Sequence, residues 1–308
     1  MKKLLIILLC LLLLTGCAPA EGAGEGYTFT DDTGAEITVP EKPKKVAVLL
    51  SSLADLWITA GGTVDITVGE TVERGFVAES VILVDAGAGK TIDLEGLIAA
   101  QPDFVLYSSD LSGQLECAET LRAAGIPAAG FRVETFEDYL RVLKICTEIL
   151  ETPERYTQYG SALKTEIDGL IALAQAQEHQ PDILFVRAGS SAKYTKAKTA
   201  ENHFVCGMLK DLGTFNIAEK APILLDGLST EEILLSNPDF ILFTTMGDEG
   251  AGQTYMESLI SDPVWQTLSA VKEGRVYQLP KELFQYKPNA RWNEAYTYLI
   301  ELLYGDIL

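Results

Sequence analysis

The sequence predicts an α/β fold: two Rossmann-like lobes with mostly parallel sheets, joined by a single long α-helix. Three observations lead there. One phrase is written twice, as "EGLIAAQPDFVLYSSD" at 95–110 and "EEILLSNPDFILFTTMGD" at 231–248. Aligning Pro102 with Pro238 superposes Glu95 on Glu231, Asp103 on Asp239 and Phe104 on Phe240. Each copy passes from an amphipathic helical stretch, through a proline that ends it, into an apolar run. Such a run is the mark of a strand buried on both faces of a parallel sheet. Between the copies, Tyr156, Tyr159, Leu163, Ile167, Leu170 and Ala174 recur at steps of three and four, which is one face of a helix.

In chain order, "MKKLLIILLCLLLLTGC" begins with Lys2 and Lys3 and continues with an apolar run from Leu4 to Leu14. That run is short of the ~20 residues a bilayer-spanning helix needs. Residues 1–16 therefore read as a signal peptide, and 17–26, "CAPAEGAGEG", as a tether. An N-terminal lobe is expected over 27–151, with strands in 44–52, 103–108 and 126–131 and helices near 54–60, 115–124 and 135–150. The connecting helix is expected over 152–180, with Thr152 as its cap, Pro153 at its first position and Pro181 as its stop. Its core of ~25 residues would reach ~37 Å. A C-terminal lobe is expected over 181–308, with strands in 181–191, 239–245 and 275–280 and helices near 203–212, 254–260 and 290–304.

Composition excludes several functions. The formal charge of −20 argues against nucleic acid or an anionic membrane face, both of which demand basic surface. Beyond Cys10 and Cys17, the cysteines are Cys117, Cys146 and Cys206, which have no metal-ligand spacing; one disulfide among them is left open. His179 and His203 are too few and too far apart for a bare-metal site, so no metal is assigned to the protein itself. GxSxG and HExxH are both missing, so no catalytic residue is assigned and the chain is not read as an enzyme. "DAGAGKT" at 85–91 is not a phosphate loop, because Val84 stands where the first glycine is required.

The ordered series "LTGC", "FTDDTGAEITVPEKPKKVAVLLSS", "DLEGLIAAQPDFVLYSS", "LRAAGIPA", "MLKDLGTFNIAE", "LSTEEILLSNPDFILFTT" and "WQTLSAVKEGRVYQLP" resembles the helical-backbone (class III) substrate-binding lipoproteins of ABC transporters. That family carries ferric siderophores, haem or cobalamin. The resemblance implies a monomer exported to the outer face of the cell membrane, periplasm-facing where an outer membrane exists. It implies a lipid anchor on Cys17, a chelated metal as ligand rather than a resident cofactor, and partners in an ABC permease and its ATPase. It also implies that Glu95 and Glu231, one per lobe, pair with permease arginines. Two other readings stay open: a sensory lipoprotein that presents ligand to a kinase, and an exported enzyme of hydrolase or chelatase type.

Ligands of open α/β sheets sit at the carboxyl ends of strands. The candidates there are Ser51, Ser52, Ser108 and Ser109 in the first lobe, with Gly87 and Lys90 in a glycine-rich loop. In the second lobe they are Arg187, Ser190, Lys193, Thr245 and Met246, and then Tyr286, Arg291 and Trp292 in "YKPNARW". Arginine offers planar donors to oxyanions, and tyrosine and tryptophan offer flat contact to rings. A thioether such as Met246 also ligates haem iron.

Overall fold

The structure, a computed structural model, describes residues 26–39, 42–85, 91–305 and 307–308. The signal segment, Cys17, Gly87 and Lys90 lie outside the described residues. A small hairpin leads in, β1 (Tyr27–Thr30) against β2 (Glu36–Val39). The first lobe is then built from β3 (Val46–Val48), β4 (Ile66–Thr67), β5 (Ile82–Leu83), β6 (Phe104–Ser108) and β7 (Ala128–Phe131), all parallel, in the order β5-β4-β3-β6-β7. The second uses β8 (Asp182–Ala188), β9 (Lys196–Ala197), β10 (Phe215–Asn216), β11 (Phe240–Thr245) and β12 (Val276–Gln278) in the order β10-β8-β11-β12, with β9 antiparallel on β8. The two sheets share four parallel strands in the same order, β4-β3-β6-β7 and β10-β8-β11-β12, and the duplicated phrase supplies the same strand, β6 or β11, in each.

The duplicated "PDF" is a structural latch. Before each proline the chain turns through the left-handed region, at Gln101 (φ 50°) and Asn237 (φ 41°). The carboxylate of Asp103 then accepts the backbone N–H groups of Lys44 and Lys45 at 2.8 and 2.9 Å, and its own N–H donates to the Lys45 carbonyl at 2.7 Å. Asp239 repeats this on the second lobe, accepting from Asp182 N–H at 2.9 Å and donating to the Asp182 carbonyl at 2.8 Å. Each aspartate pins the duplicated strand to the start of its central neighbour, so the register is fixed at one end.

The connecting helix runs as Pro153–Tyr156, a π-helical turn Thr157–Ser161 and Ala162–Gln175. The π-turn has a visible partner: the Tyr139 hydroxyl donates to the Tyr159 carbonyl at 2.9 Å, and a π-bulge is where such diversions are absorbed. The helix ends at Gln175, several residues before Pro181. It is not the sole link between the halves. One apolar core runs through both, from Trp57, Phe104 and Tyr139 to Phe185, Phe204 and Trp292. The helices Phe136–Leu150 and Trp292–Tyr304 meet there, with the Trp292 ring edge-on to Phe136 at 5.9 Å and to Phe204 at 5.8 Å. Separate clusters fill the outer face of each sheet. Among the described residues no helix is long and apolar enough to cross a membrane.

Candidate functional site

Segment 284–292 of the second lobe meets the first lobe where β6 and β7 end, with Lys287 and Asn289 lining a space beside Ser108 and Phe131. That segment reaches over and holds the first lobe. Asn289 donates to the Ser52 carbonyl and to the Asp55 carboxylate, both at 2.8 Å. Lys287 pairs with Glu134 at 2.9 Å. Tyr286 lies under Arg74, whose guanidinium carbon is 3.9 Å from the ring centre. Two spaces lie beside this segment. One, of about 50 Å3, is lined among others by Ser52, Ser108, Asp110, Arg132 and Lys287. The other, of about 280 Å3, is lined by Asp55, Arg74, Phe76, Glu282, Lys287, Pro288, Ala290 and Arg291.

Arg74 is the centre of the larger space. It follows the short helix Gly69–Glu73, and its side chain is clamped between Tyr286 and Phe76, the latter at 4.6 Å. One terminal nitrogen donates to the Ser51 hydroxyl at 3.0 Å and to the Ser52 hydroxyl at 3.3 Å. The Ser51 hydroxyl in turn donates to Glu70. The Nε–H of Arg74 is buried with no partner. Burial depresses the guanidinium below its ordinary range, opposed by Asp55, Glu70, Glu282 and Tyr286. An oriented, half-desolvated guanidinium with one edge free is a receptor for an oxyanion. Burial likewise lifts Asp55, opposed by the Asn289 bond and by Arg74 and Arg291. It lowers Lys287, opposed by Glu134.

A second group of cations lies on β8 and β9, where Arg187 sits opposite Lys196. Burial lowers Lys198, with Arg187 and Lys196 adding to it. His203 caps the helix Phe204–Asp211 through its Nδ1, which accepts from Val205 N–H at 3.4 Å, and its ring lies 4.7 Å from Phe185. Burial first, then Lys287, Arg187 and Lys198, push its pKa down to about 3, so the imidazole is neutral at physiological pH. Among the described residues no three His, Cys, Asp or Glu side chains converge on a point that would hold a bare metal ion.

The sequence-derived candidates divide. Ser51, Ser52, Tyr286 and Arg291 meet around Arg74, and Ser108 lines the smaller space. Ser51 and Ser108 are buried, so their hydroxyls work by holding other groups: Ser108 Oγ accepts from Asp110 N–H at 3.2 Å. Ser109 is occupied by its N–H bond to the Phe131 carbonyl at 3.1 Å. Arg291 already makes a two-pronged contact to Glu294, both bonds 2.7 Å. Arg187 is half-buried on its strand, and Met246 is half-buried with its N–H on the Ala188 carbonyl at 2.8 Å.

Four of the candidate residues need correction, and the disulfide left open is decided. Trp292 is 1% exposed and packed by Phe136, Phe204 and Tyr296, so its ring belongs to the core shared by the two lobes. Thr245 is buried under Gly252, because its strand ends inside the sheet-helix layer. Lys193 lines a different groove, of about 520 Å3, with Ile223, Leu228 and Tyr255, and the neighbouring Ser190 is exposed outside both seam cavities. The turn Ala192–Tyr194 carries this stretch away from the seam. The possible disulfide is absent: Cys117, Cys146 and Cys206 are all free and buried.

Arg74, Asp55, Phe76, Glu282 and Asn289 were missed. The available signal was "ERGF", an arginine beside an aromatic ring in an acid-rich lobe. Glu95 and Glu231 are both exposed in the first turns of Leu94–Ala99 and Thr230–Ser236. Asp93 caps the first helix by accepting from Gly96 N–H at 3.0 Å, and Ser229 caps the second by accepting from Glu232 N–H at 3.4 Å.

Against known proteins, the family model for periplasmic binding proteins matches residues 46–283. The Fe(3+)-citrate-binding protein YfmC of Bacillus subtilis is 23% identical over 293 residues, covering 90% of this chain and 88% of that protein. The ABC transporter substrate-binding lipoprotein YvrC of the same organism is 23% identical over 314 residues, covering 97% of this chain and 96% of that protein. Among solved structures, the periplasmic haem-binding protein RhuT of Roseiflexus sp. RS-1 superposes with a TM-score of 0.69 at 18% identity, over 86% of this chain and 99% of that one. Staphylococcus aureus SirA, solved with staphyloferrin B, does so with a TM-score of 0.69 at 16% identity, over 90% and 98% of the two chains. At such identities the structural likeness establishes the fold.

Proposed function

Because the chain belongs to the periplasmic binding protein family, we propose that it is the substrate-binding lipoprotein of an ABC importer, capturing an iron chelate in the seam between its lobes and handing it to a permease. The observation that carries this reading is Arg74: a guanidinium lying against Phe76 and Tyr286, one from each lobe, with a buried, unmatched Nε–H, in the lining of a cavity of about 280 Å3. A donor fixed in that way across two lobes senses ligand and closure together. Relatives named for ferric citrate binding and for ABC transport support the class of cargo and the role.

The chain does no chemistry on its cargo in this reading. Ser51 and Ser52 orient Arg74, the rings exclude water from its faces, and the Lys287–Glu134 and Asn289–Asp55 contacts hold the lobes together. Glu95 and Glu231 present one carboxylate per lobe to permease arginines, and an ATPase on the far side of the membrane drives release. A lipid on Cys17 and residues 18–26 keep the protein at the outer face of the membrane.

The test is a tryptophan-fluorescence titration of the full-length protein in detergent with ferric citrate, a ferric catecholate, a ferric hydroxamate, haemin and cobalamin. Saturable binding of one chelate, weakened at least about tenfold by Arg74→Gln, is expected; that factor equals ~1.4 kcal/mol, a modest value for a charged hydrogen bond. Failure of every chelate to bind would overturn the proposal.

A further inference from the structure

The charges around the larger cavity are not those of a simple anion trap. Its lining sets Arg74, Lys287 and Arg291 against Asp55 and Glu282. Two of these cations are already matched by acids of the protein itself, Lys287 by Glu134 at 2.9 Å and Arg291 by Glu294 at 2.7 Å. Arg74 is then left facing Asp55, Glu70 and Glu282, with Lys281 beside Glu282, so carboxylates outnumber the remaining cations. The chain as a whole carries −20, so distant charges give no relief. Carboxylates beside a purely anionic guest would oppose it by like-charge repulsion.

The two acids stand at different depths. Asp55 is half-buried, with one oxygen accepting from Asn289 at 2.8 Å, while Glu282 is exposed. Burial of Asp55 without a full counter-charge is unfavourable, and a guest cation would relieve it. Arg74 supplies the opposite pole through its free Nε–H, held in a fixed plane by Phe76 and Tyr286. We infer that the cleft takes a chelate bearing a protonated amine as well as an oxyanion, with the oxyanion on the free edge of Arg74 and the ammonium between Asp55 and Glu282. This rests on the proposed capture of an iron chelate in the seam. Such a guest is distinguished from an all-anionic one by the same carboxylates that would repel the latter.

The probe is a matched pair: a ferric linear trihydroxamate with a free terminal amine, whose iron-bound hydroxamate oxygens would meet Arg74, and the same chelate with that amine acetylated. They share metal and coordination and differ by one charge. With full-length protein the amine form is expected to bind at least about tenfold more tightly, equivalent to ~1.4 kcal/mol. Asp55→Asn, which keeps an acceptor for Asn289, and Glu282→Gln, at an exposed position, should together shrink that preference to less than about twofold. Glu282→Gln alone should reduce it, which guards against a folding defect at Asp55. Equal affinity for the pair, or preference for the acetylated form, overturns the inference. If neither hydroxamate binds while ferric citrate or haemin does, the amine inference falls and capture of an iron chelate stands; if no chelate binds, both fall.

Discussion

Glu134→Gln isolates the ion pair that ties segment 284–292 to the first lobe. Lys287 and Glu134 are 2.9 Å apart, with side chains 21% and 28% exposed. At that separation and an effective dielectric constant of about 20, the gross attraction is ~6 kcal/mol. Desolvation offsets much of it, and breaking a fully buried pair costs ~3–5 kcal/mol. With about a quarter of each side chain wet, ~2 kcal/mol is the expected net loss. Unfolding entropy of ~2.1 cal/mol/K per residue, over roughly 280 folded residues, converts that to a Tm drop of about 3 °C. The assay is thermal unfolding followed by near-ultraviolet circular dichroism at low salt. Lys287→Met in the same chain removes the stranded ammonium, so the double variant should recover most of the loss. A single variant within 0.5 °C of the parent (an instrument-scale limit), or a double variant less stable than the single, would refute the assignment of this contact as a lobe tie.

Three further outcomes follow from particular contacts. Burial raises the Asp211 carboxyl above its ordinary 3.8, with Glu137 adding to the shift and the Tyr296 hydroxyl, 2.7 Å away, opposing it. The folded chain therefore binds that proton more tightly than the unfolded one, so this contribution is full below pH 3.8 and is lost as pH rises through the raised value. Asp211→Asn should remove that loss, so the change in urea midpoint from pH 4 to pH 7 should be more positive than in the parent, and an equal change would refute the assignment. Gly130→Ala places a methyl 2.7 Å from the ring of Tyr107, whose hydroxyl is held by Arg122 at 3.0 Å; a loss of ~1–3 kcal/mol in urea unfolding is expected, and no change would show the ring free to move. Glu95→Arg combined with Glu231→Arg should abolish chelate uptake by reconstituted transporter while leaving affinity in solution unchanged; lost affinity would remove both residues from the docking role.

The sequence by itself determined the parts whose signal is local. Period-three-and-four spacing placed the connecting helix, and the apolar runs placed β3, β6, β7, β8 and β11 because a strand buried on both faces is largely apolar, whereas β12 is a half-buried edge strand. The repeated "PDF" announced equivalent strands in equivalent sheets, and the bonds of Asp103 and Asp239 show why that phrase recurs. The two-residue strands β4, β5, β9 and β10 are too short for any period to register, and only neighbours in space define them.

Only the tertiary structure decided the site. Arg74 is one charge in an acidic lobe until Phe76 and Tyr286, more than two hundred positions apart in the chain, close on its two faces. Trp292 shows the converse, since "YKPNARW" puts it beside the same seam and a change of helical face turns it into the shared core. Which face a residue shows, and which distant charge it meets, is a property of packing between elements, and a linear pattern carries information only about neighbours along the chain.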